Sequence, residues 1–93
     1  MENAKNVTLK LYITGQTSRS QRAIRNLRRV CEEKLQGRCQ VIVVDVLEQP
    51  QAAEEAKILA TPTLVKELPP PLRRIIGDLS DHEKVLIALE VIH

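Results

Sequence analysis

A run of apolar residues in the middle of the chain sets the strongest limit on its architecture. Residues 41–47 read VIVVDVL and are interrupted only by Asp45. A strand with one face in solvent alternates between apolar and polar side chains, whereas a strand covered on both faces does not. The run therefore predicts a central strand in a sheet that has helices on both faces. A single carboxylate in such a strand is expected to point to a loop or to the strand edge.

Strand and helix patterns precede this run. Residues 7–13 (VTLKLYI) are rich in β-branched residues and predict a strand. Ser18 and Gln21 fit a capping box, which predicts a helix from there to about residue 35. Gly37 suits its C-terminal cap. The apolar positions spaced for one helical face are Ala23, Ile24, Leu27, Val30, Cys31 and Leu35.

The segments after the run continue the alternation. Pro50 suits the first turn of a helix, and residues 52–59 contain strong helix formers. Residues 60–65 predict extended chain, because the residue before Pro62 disfavours helix. Prolines 69–71 predict a stiff turn.

The last part of the chain is locally ambiguous. Residues 72–76 predict a short strand that ends at Gly77, and Ser80 and Glu83 fit a second capping box. Residues 85–92 (VLIALEVI) carry four β-branched residues, which favour a strand, but also good helix formers. With a helix there, the order is β-α-β-α-β-β-α, an α/β fold of the thioredoxin-like type.

Length and composition predict a single domain. The chain has 93 residues, which suits one domain over 1–93, with residues 1–6 as a flexible N-terminus. Tyr12 is the only aromatic residue, so the core must be aliphatic. No stretch resembles a membrane span or a signal peptide. The two cysteines, Cys31 and Cys39, are too few for a disulfide framework, and a reduced, cytoplasmic protein is expected.

Charge is distributed unevenly. Residues 1–38 carry nine basic and three acidic side chains, whereas residues 39–93 carry five and nine. A basic half and an acidic half suit contact with a protein surface or with further copies of the chain. Nucleic acid is not expected as a partner, because there is no aromatic stacking platform and no reading motif.

No catalytic constellation emerges from the residues. A redox thioredoxin needs cysteines where the first strand meets the first helix, because the helix N-terminus stabilises the thiolate. Residues 15–20 read GQTSRS, although Thr61 and Pro62 fit the place where such folds have a cis-proline. His82 and His93 suit solvated positions, and Asp78 and Asp81 suit helix caps. The expectation is a protein without cofactor, metal or enzymatic activity.

An arginine-rich helix face is the main surface feature. Residues 22, 25 and 29 share one helical stripe, on the side away from the apolar positions. A solvated face is one interpretation. The other is a protein interface, since the arginine fork pairs bidentately with carboxylates. The arginines of this segment are Arg19, Arg22, Arg25, Arg28 and Arg29.

Two long segments carry a family resemblance. Residues 57–64 (KILATPTL) and 68–81 (LPPPLRRIIGDLSD) closely resemble KaiB proteins of the cyanobacterial circadian clock. Residues 9–12, Gly15 and residues 44–47 match as well, so that the resemblance covers about residues 7–92.

The resemblance implies a regulator that is not an enzyme. Such a protein binds a KaiC-type hexameric ATPase and autokinase, with KaiA and a competing sensor histidine kinase as further partners. It modulates KaiC phosphorylation in a circadian or stress-timing system. The resemblance also implies two folds: a resting homo-tetramer (or dimer) with a rearranged second half and a C-terminal strand, and a thioredoxin-like monomer that binds. The alternative function is a thioredoxin-like adaptor for a histidine kinase.

The resemblance also singles out residues. Arg22, Lys57 and Arg74 resemble family positions at or near the partner-binding surface, and Arg25 and Arg73 are predicted to belong to the same surface. Those of the fold switch are Pro62, Pro70, Pro71, Gly77, Asp78, Ala88 and Glu90. Family members commonly have Gly and Asp where this chain has Ala88 and Glu90. Since Ala favours helix over Gly by roughly 1 kcal/mol, we expect this chain to populate the helical fold more readily.

Overall fold

Within the described residues, seven elements follow one another in the order that the sequence predicts. The structure is a computed structural model and describes residues 7–90, so the predictions for residues 1–6, 91–92 and His93 lie outside the described residues. The elements are β1 (Val7–Ile13), α1 (Ser18–Lys34), β2 (Cys39–Asp45), α2 (Pro50–Glu55), β3 (Thr63–Leu68), β4 (Arg73–Ile76) and α3 (His82–Leu89).

The four strands form one mixed sheet in the order β2-β1-β3-β4. β1 pairs parallel to β2 and antiparallel to β3, and β3 pairs antiparallel to β4. The apolar run therefore does not form a central strand, because β2 lies at the edge of the sheet. Its pattern reflects cover on both faces: Val41 packs against one core cluster and Val44 belongs to the other. An apolar pattern indicates that both faces of a strand are buried. It does not indicate whether the strand has a neighbouring strand on each side.

Helices cover both faces of the sheet. On one face, alternate β1 residues such as Leu9 and Leu11 pack with Leu27 of α1 and Leu89 of α3. On the other face, Tyr12, Val44 and Val65 pack with residues of α2 and of the loop that follows it. All six apolar positions predicted on α1 pack in the first core, with Ile24 and Leu35 partly buried.

The helix starts differ from the two predicted capping boxes by one residue. Thr17, not Ser18, caps α1, and its Oγ1 accepts a hydrogen bond from the Ser20 amide at 3.1 Å. Asp81, not Ser80, caps α3, accepting from the Lys84 amide at 3.2 Å. In each case the neighbouring residue is itself an N-cap type, and the capping preference alone does not separate them.

Several boundaries also shift. α2 ends at Glu55, four residues before the predicted end, and the backbone at Lys57 has a φ of 57°. β3 begins at Thr63 instead of residue 60, and the preceding residues 60–62 form a bend in which the Thr61–Pro62 peptide is cis. The ambiguous segment near the C-terminus is helical to Leu89.

Candidate functional site

The position that holds the cysteines in redox thioredoxins carries hydroxyl groups in this chain. β1 ends beside Thr14, whose Oγ1 lies 2.5 Å from Thr61 Oγ1, so the start of α1 and the cis Thr61–Pro62 peptide are neighbours. The predicted placement of Pro62 is therefore confirmed. Both cysteines are buried in the core instead. With no thiol at the helix start, this position has no nucleophile for thiol–disulfide exchange.

Asp45 has a structural role at the same end of the sheet. Its Oδ1 accepts hydrogen bonds from the Gly15 and Leu47 amides, each at 3.0 Å. The carboxylate thus ties the loop after β1 to the turn after β2, in agreement with the predicted loop-facing orientation.

Lys57 and Arg74 form a basic site. The Arg74 guanidinium donates from Nη1 to the Lys57 carbonyl at 3.1 Å and from Nη2 to the Ala56 carbonyl. These bonds hold β4 against the end of α2, where Lys57 is exposed. A fixed guanidinium beside an exposed ammonium produces a basic surface that suits carboxylates.

Apolar side chains lie in the same basic site. A depression of about 370 Å³ is lined by Lys57, Leu59, Thr63, Arg74 and Ile76. Leu59 is 97% exposed and Ile76 is 63% exposed. Sequence reasoning missed both, since an apolar residue in a loop or a short strand is normally assigned to the core. Apolar anchors beside basic groups are common at protein interfaces.

Arg73 belongs to a different surface from Arg74. Successive side chains of a strand point to opposite faces, and Arg73 points towards α3. Its Nε and Nη2 lie 2.7 Å and 2.6 Å from Glu90 Oε2. Glu90 follows α3 in the left-handed conformation with a φ of 56°. The ion pair therefore connects β4 with the end of α3.

Arg22 lies where α1 meets the loop before α3. Its Nε is 3.4 Å from Asp78 Oδ2, and Asn26 Nδ2 donates to the Asp78 carbonyl at 2.7 Å. Hydrogen bonds from Ser80, and then the Arg22 guanidinium, hold the pKa of Asp78 below its ordinary value. Arg25, one turn further along α1, is exposed.

The structure thus brings together Lys57 with Arg74, Arg73 with Glu90, and Arg22 with Asp78. Arg73 and Arg74, adjacent in sequence, point to opposite faces of the sheet. The predicted partner-binding residues are therefore distributed over separate surfaces. Of the residues predicted to take part in a fold switch, Pro62 is buried, Pro70 and Pro71 are exposed in the β3–β4 turn, Gly77 has a φ of 129°, and Ala88 lies within α3.

Residues 7–90 contain neither a metal-binding cluster nor a membrane-spanning helix. In this part of the chain, no group of three or more His, Cys, Asp or Glu side chains is placed to hold a metal ion. His82 Nε2 lies 3.5 Å from Asn26 Oδ1. No helix in the same range is long and apolar enough to cross a membrane.

Fold and site together define a thioredoxin-like α/β domain that lacks the redox cysteines. The amino-terminal domain of Synechococcus elongatus SasA superposes with a TM-score of 0.74 at 23% identity, covering 100% of this chain and 91% of that one. Mitochondrial thioredoxin 3 of Saccharomyces cerevisiae superposes with a TM-score of 0.73 at 17% identity, covering 95% and 80%. At these identities the likeness concerns the fold alone.

Sequence comparison then gives the family: the chain belongs to the KaiB family. The KaiB domain model matches residues 10–91. Circadian clock protein KaiB3 of Synechocystis sp. (strain ATCC 27184 / PCC 6803 / Kazusa) is 58% identical over 86 residues, which cover 92% of this chain and 84% of that protein. A circadian clock oscillator protein KaiB of Prochlorococcus marinus (strain MIT 9312) is 58% identical over 92 residues, covering 99% and 88%. A regulatory role in a circadian clock follows from this membership, as the family resemblance predicts.

Proposed function

We propose that this chain is a regulator without enzymatic activity that binds a KaiC-type hexameric ATPase and modulates its phosphorylation in a circadian or stress-timing system. The observation that supports this most is membership of the KaiB family over nearly the whole chain. KaiA and a sensor histidine kinase are the further partners in this proposal, the kinase as a competitor for KaiC.

The binding surface in this proposal is the depression beside Lys57 and Arg74. Arg74 is held by two backbone carbonyls, so little side-chain freedom is lost when a partner binds there. Exposed Leu59 and Ile76 provide apolar contact area. A complementary partner segment would carry carboxylates and an aliphatic side chain.

The mechanism proposed is conformational selection. The thioredoxin-like fold is the form that binds KaiC, and a tetramer with a rearranged second half is the resting form. The apparent affinity for KaiC is then reduced in proportion to the fraction of chains in the binding fold.

Light-scattering mass during size exclusion tests the proposal. The chain is measured alone and after long incubation with the KaiC of the same organism and nucleotide. We expect a tetramer alone and monomers bound to the KaiC hexamer in the mixture. No association under any phosphorylation state of KaiC would reject the proposal.

The whole-chain likeness to the SasA amino-terminal domain favours a second candidate, a thioredoxin-like adaptor for a histidine kinase without redox activity. This candidate requires no second fold. Capture of a histidine kinase by a chain that stays monomeric and ignores KaiC would favour it.

A further inference from the structure

Lys66 is the only charged side chain in residues 7–90 that is buried, with 0% of its surface exposed. It lies on the central strand β3, opposite Leu9 of β1 and two residues after Leu64. Both of these leucines belong to the core between the sheet, α1 and α3. Since side chains two residues apart share a face, the Lys66 side chain enters the same core. Its Nζ has no hydrogen-bond partner within the described part of the chain.

The carboxylates of Glu67 on β3 and Glu90 at the end of α3 are bound to other cations. Arg73 lies directly opposite Lys66 on β4, and its guanidinium is paired with Glu90. Directly opposite residues of an antiparallel pair share a face, so two cations are placed side by side there. Glu67 points to the other face, where its carboxylate lies 3.3 Å from Lys10 Nζ.

A buried ammonium without a partner is unfavourable, because it loses hydration and gains no ion pair. Apolar residues of similar volume often stabilise such positions. A lysine buried against an otherwise aliphatic core therefore lowers the stability of this arrangement.

We propose that Lys66 is a built-in destabilising charge that keeps the β3–β4–α3 part of this fold marginally stable. Lys66 thereby limits the fraction of chains that present the surface beside Lys57 and Arg74. The effect of Lys66 on this fraction rests on the proposed function, whereas the destabilisation itself does not depend on KaiC.

Amide hydrogen exchange of Lys66→Met tests the destabilisation. Methionine is unbranched like lysine, is one atom shorter, and removes the charge. The most protected amides of β3 and β4 are expected to exchange at least about tenfold more slowly than in the wild type. The matched control is Lys10→Met, which removes a partly exposed pair on the other face and should change exchange less than about fivefold. Unchanged or faster exchange in Lys66→Met would overturn the proposal.

Lysine labelling of the wild-type chain gives a measurement that does not depend on how the variant folds. Reductive methylation followed by mass spectrometry reports when each amine reaches solvent. Lys10 and Lys57 should be modified at once, and Lys66 only as fast as the sheet opens. Modification of Lys66 at the rate of Lys10 would show that Nζ is accessible and would overturn the proposal.

Binding to KaiC separates this inference from the proposed function. Lys66→Met should bind KaiC more tightly than the wild type. The gain in affinity should not exceed the factor by which the equilibrium constant for opening of β3 and β4, measured by amide exchange, falls in the variant. If exchange slows but the affinity for KaiC does not rise, the regulatory part is wrong. If the wild type does not bind KaiC at all, the proposed function fails, and exchange and labelling still decide the role of Lys66.

Discussion

Adjacent residues of this chain take part in different surfaces because a strand alternates its side chains. Arg74 is bound to the carbonyl groups at the end of α2, and Arg73 is bound to Glu90 beyond α3. In sequence the two are one basic dipeptide. Their charges could be recognised from the sequence, but their separation depends on which face each helix covers, and local pattern does not specify that.

Lys57→Gln should weaken binding to KaiC roughly three- to tenfold, an effect of about 1 kcal/mol. The ammonium is exposed at the rim of the depression, so its loss should act mainly on the association rate and on the salt dependence. Surface plasmon resonance at two ionic strengths measures both. Lys84→Gln, an exposed lysine on α3, is the matched control. Equal losses in both variants would assign the effect to net charge instead of to this surface.

Asp78→Asn should destabilise the fold at neutral pH and have less effect in acid. The pKa of Asp78 is lowered in the folded chain, so the stabilisation is present above the unfolded pKa of about 3.9 and is lost as the pH falls through the folded value. Denaturant midpoints of both proteins at neutral pH and below about pH 3 test this. A difference between the two proteins that does not change with pH would contradict the assignment.

At the level of elements, the starts of the helices depend on single side chains. Thr17 Oγ1 accepts from the Ser20 amide and donates to Ser20 Oγ at 2.9 Å, whereas Ser18 is exposed in the first turn. The two residues are adjacent and of the same capping type. The sequence pattern therefore predicted the start of α1 to within one residue and assigned the cap to the wrong residue.

Thr17→Ala should lower the free energy of unfolding by about 1 kcal/mol, because one amide at the start of α1 loses its partner. Ser18→Ala is the control and should change it by less than about 0.5 kcal/mol. Urea denaturation measures both. A larger cost for Ser18→Ala than for Thr17→Ala would place the cap at Ser18 after all.

For the molecule as a whole, the order of the seven elements and the type of the first six could be predicted from the sequence, whereas the last segment was compatible with helix or strand. Two further features could not be predicted. The position of β2 at the sheet edge depends on the order of strands, which the covered faces of residues 41–47 do not encode. The burial of Lys66 could not be predicted because charged side chains are mostly exposed. In the sequence TLVKEL, Lys66 is expected to be as exposed as the neighbouring Glu67.

Ala88→Gly should shift the whole molecule away from the thioredoxin-like fold. Ala88 lies in α3, where Gly costs roughly 1 kcal/mol, about fivefold in a two-state ratio. If the resting form is a tetramer with a strand at this segment, the tetramer fraction should rise in light scattering during size exclusion. An unchanged distribution, with helix content also unchanged, would contradict the expectation that Ala88 favours the helical fold.

The sheet order divides the molecule into two half-sheets. β1 and β2 with α1 form one half, β3 and β4 with α3 form the other, and within the sheet only the β1–β3 ladder joins them. The connection between the halves runs through α2 and the exposed residues 47–51. A cut there would leave the β1–β2 ladder in one fragment and the β3–β4 ladder in the other, so that the β1–β3 ladder is the one that the two fragments would re-form. The protein is therefore a natural candidate for fragment complementation, in which two separately expressed fragments reassemble into the folded domain.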